Sequence, residues 1–209
     1  MNGSSPIVMV IDDDPSVLKA LERLLRSHEL NVTTFDSPQE FLEQYEPDLH
    51  GCLVLDIDMP NLNGLELQQK LIVQGIELPI IFLTGHGDIP MSVQAMKRGA
   101  VDFLTKPVHE DDLIEAIQSA IEKDRVHRKT HAELTEFRKK LETLTPRERE
   151  VLLHVVSGRL NKQIAADLGT VEKTIKVHRA HLMTKLKVRS LADLVRLSEK
   201  IGIIPIGSE

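Results

Sequence analysis

Short, continuous apolar runs recur through the first half of the chain and end on residues suited to phosphate chemistry. IVMVI runs into Asp12 and Asp13, CLVL into Asp56, PIIFL into Thr84, and VDFLT into Lys106. Runs of this length between helical stretches predict buried parallel strands. Strand candidates at 7–11, 31–35, 51–56, 79–83 and 101–104 alternate with helical patterns beginning near 15, 38, 64, 88 and 110. A five-fold βα repeat of this kind predicts an α/β fold with a doubly wound, five-stranded parallel sheet. Ligands of such sheets lie at the carboxyl ends of the strands, where these polar residues stand.

Helix-start signals agree. Asp14-Pro15 and Ser37-Pro38-Gln39-Glu40 each place a cap before a proline at the first helical position, and Glu40 completes a capping box. Gly99 suits the end of the fourth helix. From Leu113 to Leu144 there is neither proline nor glycine, and Leu113, Ile117, Ile121, Leu134, Phe137, Leu141 and Leu144 recur at helical spacing. The fifth helix is therefore expected to run on as a linker, although a break in the polar stretch EKDRVHRKTHAE is the alternative. Thr145-Pro146-Arg147-Glu148 opens a further helix, with Asn161, Thr170 and Ser190 as expected caps of three more. The reading divides the chain into a domain at 1–124, a helical linker at 125–140 and an all-α four-helix domain at 141–209.

Charge divides the same way. Residues 1–124 hold 8 Lys+Arg against 22 Asp+Glu, a net of −14, whereas residues 125–209 hold 18 against 10, a net of +8. An acidic first domain suits a cation and a basic second one attracts a polyanion. The composition, 41% hydrophobic and 28% charged, is that of a soluble globular protein. The first apolar run stops after five residues at three aspartates, so neither a signal peptide nor a membrane span is expected, and a cytoplasmic location is. Cys52, the single cysteine, reads as a small core residue.

A carboxylate can accept a phosphoryl group only if the converging negative charges are neutralised. Asp13 and Asp56 offer hard oxygen ligands for Mg²⁺, Asp58 is placed to add its carbonyl, and Asp12 orients the set. Asp12, Asp13, Asp56 and Asp58 thus form the expected metal group. Thr84 offers a hydroxyl to the phosphoryl oxygens, and Lys106 a cation that pairs with Asp56 before reaction and with the phosphoryl group after it. Each residue alone is a weak signal, but the ordered set is not.

IDDDPS, LDIDMPNLNG, LTGHGD and VDFLTKP resemble, in order and spacing, the flavodoxin-like receiver domain of two-component response regulators, over about residues 6–124. The resemblance implies that Asp56 is the phosphoacceptor, Asp12 and Asp13 the acidic pair, Thr84 the switch hydroxyl, Phe103 the aromatic switch and Lys106 the lysine of the site, with a Lys106-Pro107 bond that is commonly cis. Phe103 reads equally as a core phenylalanine on a strand. Asp58 and His86 flank the route of the water that would hydrolyse the phosphoaspartate and are expected to set its lifetime; His86 reads equally as a polar loop residue.

In the basic half, the segment from Thr170 reads as the second helix of a helix-turn-helix. Val171, Ile175, Leu182 and Leu186 form the expected inward stripe, leaving Glu172, Lys173, Lys176, Val177 and Arg179 outward. A charged face is by itself usually solvated surface. However, LTPREREVLLHVVSGRLNKQIAADLGTVEKTIKVHRAHLMTKL resembles the LuxR-type DNA-binding domain, over about 141–200. By that resemblance Lys173, Lys176, Val177, His178 and Arg179 are candidates for bases and nearby phosphates, and Asn161, Lys162 and Lys185 for the DNA backbone.

A receiver joined to a LuxR-type domain is the arrangement of the NarL/FixJ response regulators, and the second domain is closer to the FixJ branch. The resemblance implies phosphorylation by a sensor histidine kinase, homodimerisation through the fourth helix and fifth strand, and binding to promoter DNA with RNA polymerase as a further partner. It implies no catalysis beyond the chain's own phosphotransfer and dephosphorylation, and no membrane association. The competing reading is a phosphorelay receiver whose second domain binds protein or RNA.

Overall fold

The computed structural model describes residues 5–47, 49–85 and 89–203. The chain forms two compact units, residues 1–127 and 128–209.

In the first unit, β1 (Ile7–Ile11), β2 (Asn31–Phe35), β3 (Gly51–Asp56), β4 (Ile80–Thr84) and β5 (Asp102–Thr105) form one sheet in the order β2-β1-β3-β4-β5. Every pairing is parallel. The doubly wound sheet is thus as expected, with β4 and β5 each shifted one residue toward the carboxyl end. Pro79, expected to open β4, has no N–H to give a ladder, and its carbonyl instead accepts from Leu53 N at 2.9 Å just ahead of the strand.

Alternation along the strands builds two cores. Met9, Ile11, Leu53, Leu55, Ile80 and Phe82 face one side, where α2 (Pro38–Gln44), α3 (Gly64–Val73) and α4 (Ile89–Lys97) bring Phe41, Leu67, Leu71 and Ala95. Val8, Val10, Cys52, Val54, Ile81 and Leu83 face the other. There α1 (Pro15–Ser27) supplies Leu18, Leu21 and Leu25, and α5 (Glu110–Glu142) supplies Leu113, Ala116, Ile117 and Ala120. Both faces being covered is why the inner strands β1, β3 and β4 read as unbroken apolar runs, whereas the edge strand β2, NVTTF, is partly exposed. Burial pushes the Cys52 thiol up to about 12, with the Asp124 charge adding to the rise, so it is inert packing.

Because the chain runs outward from β1 in both directions, the order reverses between β1 and β3. That reversal opens a crevice at the carboxyl ends of these two strands. Ile11 pairs with Leu55, so the next residues, Asp12 and Asp56, stand side by side at its mouth. The start of α3 closes against the same place. A Cβ on Gly64 would lie 2.4 Å from the Asp56 carbonyl oxygen, so only glycine lets the helix begin there.

The second unit packs α6 (Pro146–Val156), α7 (Asn161–Asp167), α8 (Glu172–Leu186) and α9 (Leu191–Lys200) around Val151, Leu152, Val155, Ile164, Ile175, Leu182, Leu186, Leu194 and Leu197. The last turns of α5 join this core: Phe137 is 2% exposed, Leu144 is buried, and Leu134 and Leu141 pack against them. The apolar stripe of the expected linker is therefore spent inside its own domain. Among the described residues, no helix is long and apolar enough to cross a membrane.

Two expected caps are corrected. Leu160, not Asn161, holds the N-cap position of α7, and Gln163 Oε1 accepts from its N–H at 2.9 Å. Val171, not Thr170, holds that of α8, with no side-chain hydrogen bond, and it is exposed instead of lying in the inward stripe. The caps that do form at Asp14, Ser37, Asn63, Thr145 and Ser190 each take a backbone N–H of the first turn.

Candidate functional site

The crevice gathers Asp12, Asp56, Thr84 and Lys106 from the ends of β1, β3, β4 and β5. Lys106 N donates to Thr84 O at 2.7 Å, which fixes the last strand's exit beside β4, and the Lys106-Pro107 bond is cis. From there Lys106 Nζ reaches Asp12 Oδ2 at 2.6 Å and Asp56 Oδ1 at 2.5 Å. Asp12 Oδ1 also accepts from Asp14 N at 2.9 Å, so both of its oxygens are engaged. Asp12, Asp56 and Thr84 are buried, while Asp13 and Asp58 are exposed at the rim.

In an isolated ion pair the carboxyl would be drawn down. Here burial pushes Asp56 above the usual carboxylate range. Lys106 and the Asp58 N–H oppose that rise and the nearby Asp12 charge adds to it. Burial pulls the Lys106 ammonium down, but its hydrogen bonds to Asp12 and Asp56 outweigh that and hold it above its ordinary value. Both directions follow from one cation shared by two buried carboxylates. The site carries a surplus negative charge, held at the entrance by an ammonium.

Thr84 Oγ1 lies 3.5 Å from Asp58 Oδ2, a long contact at the rim. Phe103 is half-buried against the core, its ring 6.5 Å from Phe82 at a 48° tilt. His86 lies outside the described residues.

Among the described residues, no three side chains of metal-binding type form a ready cluster. Asp12 and Asp56 converge on Lys106 instead. The donor chemistry nevertheless fits a hard dication, since Mg²⁺ needs only one or two carboxylates beside waters and phosphate oxygens. Asp12 and Asp56 each already accept from Lys106 and one backbone N–H, and with Asp13 and Asp58 at the rim they are the carboxylates from which such an ion would be held.

In the second unit, α8 presents Lys173, Lys176 and Val177 outward, while Ile175, Leu182 and Leu186 are buried. Lys176 Nζ pairs with Glu172 Oε1 at 3.0 Å, one turn back, and His178 is half-buried. Arg179 Nη1 donates to Asn161 Oδ1 at 3.1 Å, joining two of the expected DNA contacts across the turn between α7 and α8. Lys162 is exposed. Lys185 is exposed, but its Nζ lies 2.6 Å from Glu148 Oε2, and that hydrogen bond is the leading reason the buried Glu148 carboxyl is held below its usual range. In the sequence Glu148 reads only as the last member of a capping box. Its pairing with a lysine 37 residues away leaves no local signal.

Residues 8–118 match the response regulator receiver domain family, and residues 142–198 match the bacterial regulatory proteins of the luxR family. This chain is a response regulator. It is 48% identical over 197 residues to nodulation protein W of Bradyrhizobium diazoefficiens, covering 94% of this chain and 87% of that one. To the transcriptional regulatory protein FixJ of the same organism it is 41% identical over 197 residues, covering 94% and 96%. The low-resolution structure of response regulator StyR is similar at 47% identity and a TM-score of 0.79, covering 94% of this chain and all of that one. The response regulator thus joins a receiver to a LuxR-type DNA-binding domain, the makeup of a transcription regulator. Helices α6 to α9 fall within the LuxR-type match or at its edge.

Proposed function

We propose that Asp56 of this response regulator accepts a phosphoryl group from a sensor histidine kinase, and that phosphorylation lets a homodimer present α8 to promoter DNA in the cytoplasm. The observation that carries the reading is the Lys106 ammonium held between Asp56 and Asp12 at the point where the strand order reverses. It marks Asp56 as a buried carboxylate poised beside a cation able to change partners.

In the transfer, an Asp56 carboxylate oxygen forms the new bond to phosphorus. The phosphorus–nitrogen bond of the donor's phosphohistidine breaks, its electron pair returning to the imidazole. Asp13 and Asp56, with the Asp58 carbonyl and with Asp12 orienting the set, would hold Mg²⁺, which would supply neutralising charge when bound. Lys106 moves from Asp56 to a phosphoryl oxygen, and Asp12 keeps it in place. The Thr84 hydroxyl, now near Asp58, donates to another phosphoryl oxygen. Phe103 follows by packing inward beside Phe82. Asp58 then borders the path of hydrolytic water and sets how long the phosphoaspartate lasts. No other reaction is assigned to the protein.

The dimer surface lies on α4, where Ile89, 78% exposed, recurs with the exposed Val93 and Met96 at helical spacing. Moving the protein from about 1% to about 99% active takes roughly 5.5 kcal/mol of preference from phosphorylation. In the second unit, Lys173, Lys176 and Val177 are exposed on α8 for bases and nearby phosphates, with His178 and Arg179 beside them.

Light scattering with Mg²⁺, with and without beryllofluoride as the phosphoryl stand-in, tests the reading, with Asp56→Asn as control. A doubling of mass in the wild type alone is expected. Equal mass with beryllofluoride bound would remove the dimer step, and no difference between wild type and Asp56→Asn in beryllofluoride binding would remove Asp56.

A further inference from the structure

Among the N-caps described, those of α7 and α8 are apolar residues whose side chains cap nothing. α1, α2, α3, α6 and α9 each open on Asp, Ser, Asn or Thr with the side chain on a first-turn N–H. α8 opens on Val171, in extended conformation and with no side-chain cap. Valine is among the poorest residues for that position, because it offers the orphan N–H groups nothing. Burial does not compensate, for Val171 is 64% exposed. At α7 the exposed Leu160 likewise caps nothing, although Gln163 Oε1 accepts from its N–H; α8 differs in having no such return contact and in being the second helix of the pair.

An exposed, non-capping valine thus stands at the end of the helix that a helix-turn-helix directs toward base edges with its N-terminal residues. Local rules of this kind are broken mainly where a residue serves a ligand. On the floor of the major groove the apolar group is the thymine C5-methyl, which aliphatic side chains recognise. We infer that Val171 is a specificity-determining residue of this response regulator and packs on a thymine methyl in each half-site. Serine there would close the helix and lose the methyl. The inference rests on α8 being the recognition helix, which Lys176→Ala tests separately.

The experiment starts from a duplex selected out of a random-sequence pool by the beryllofluoride-activated full-length protein. Each thymine is then replaced singly by deoxyuracil, which removes only the methyl. At one thymine per half-site the wild type is expected to lose about fourfold in affinity, the worth of one buried methyl. Val171→Ser should be indifferent at that position, sensitive elsewhere, and at least as stable to heat as the wild type. Val171→Ala repeats the test without a new cap. If both variants keep the wild-type pattern of deoxyuracil sensitivity, or if no thymine is sensitive in the wild type, the inference is overturned while α8 stands. If Lys176→Ala binds the duplex with wild-type affinity and salt dependence, or no duplex is selected, the reading of α8 falls and takes the inference with it.

Discussion

Lys106 Nζ lies 2.5 Å from Asp56 Oδ1 and 2.6 Å from Asp12 Oδ2, so a single ammonium serves two buried carboxylates. Removing one negative charge should relieve the site, and removing the positive one should burden it. Asp56→Asn is expected to stabilise the receiver by about 1 kcal/mol, and Lys106→Met to destabilise it by about 2–3 kcal/mol, as an uncompensated buried charge does. Urea midpoints at pH 7 measure both. Because burial raises the Asp56 carboxyl above its unfolded value near 3.8, its favourable contribution is present below that value and lost as pH rises through the folded pKa. The advantage of Asp56→Asn should accordingly open with rising pH and vanish in acid; a gap that shrinks as pH rises would contradict the shared-cation account.

Gly64 offers a second way to disturb Asp56, through the backbone. An added Cβ would stand 2.4 Å from the Asp56 carbonyl oxygen and 3.1 Å from the Ile57 Cα, both backbone atoms that cannot turn aside. Gly64→Ala should cost about 1–3 kcal/mol by overpacking, despite alanine's better helix propensity. It should also slow phosphorylation by a small-molecule donor, since β3 must retreat from Lys106. Wild-type values in both assays would mean that the loop before α3 yields without moving Asp56.

Much of this site was legible because its residues end strands, and continuous apolar runs announce buried parallel strands without help from tertiary structure. The order in which Asp12, Asp56, Thr84 and Lys106 follow their runs already implied one crevice. What stayed hidden depends on long-range pairing. Asn161 and Thr170 look like caps by residue type, yet the helices start beside them, because a cap preference of about 1 kcal/mol yields to the packing of a whole helix. The burial of Glu148 and its pairing with Lys185 likewise depend on a partner far along the chain.

On α4, Ile89, Val93 and Met96 expose a stripe one face wide. Val93→Asp puts a charge at its centre without touching the buried Ala95 on the other side of the helix. It is expected to leave the unfolding midpoint within about 0.5 kcal/mol of wild type, as surface changes do, and to abolish the mass doubling with beryllofluoride. A variant that still doubles would move the dimer surface off α4.

Lys185 looks like one more basic residue of the DNA-binding helix and is exposed like Lys173, yet its Nζ is 2.6 Å from the buried Glu148 Oε2. The two lysines should therefore fail in different ways. Glu148 also accepts from Thr145 N at 2.8 Å, so Glu148→Gln can keep the capping box while losing the ion pair, and Glu148→Ala loses both. Lys185→Ala and Glu148→Gln should each destabilise the second domain by about 1–2 kcal/mol, and Glu148→Ala by about 1 kcal/mol more. The Glu148 carboxyl is held below its unfolded value near 4.5, so its contribution is present above that pH and lost as pH falls through the folded pKa. Acid should then narrow the gap between wild type and Glu148→Gln. Lys173→Ala should leave stability unchanged and lower the dependence of log K on log salt by about 0.9, the value of one phosphate contact. Salt titrations of DNA binding beside urea melts separate the two, and a reduced salt slope with unchanged stability for Lys185→Ala would return that lysine to the DNA backbone.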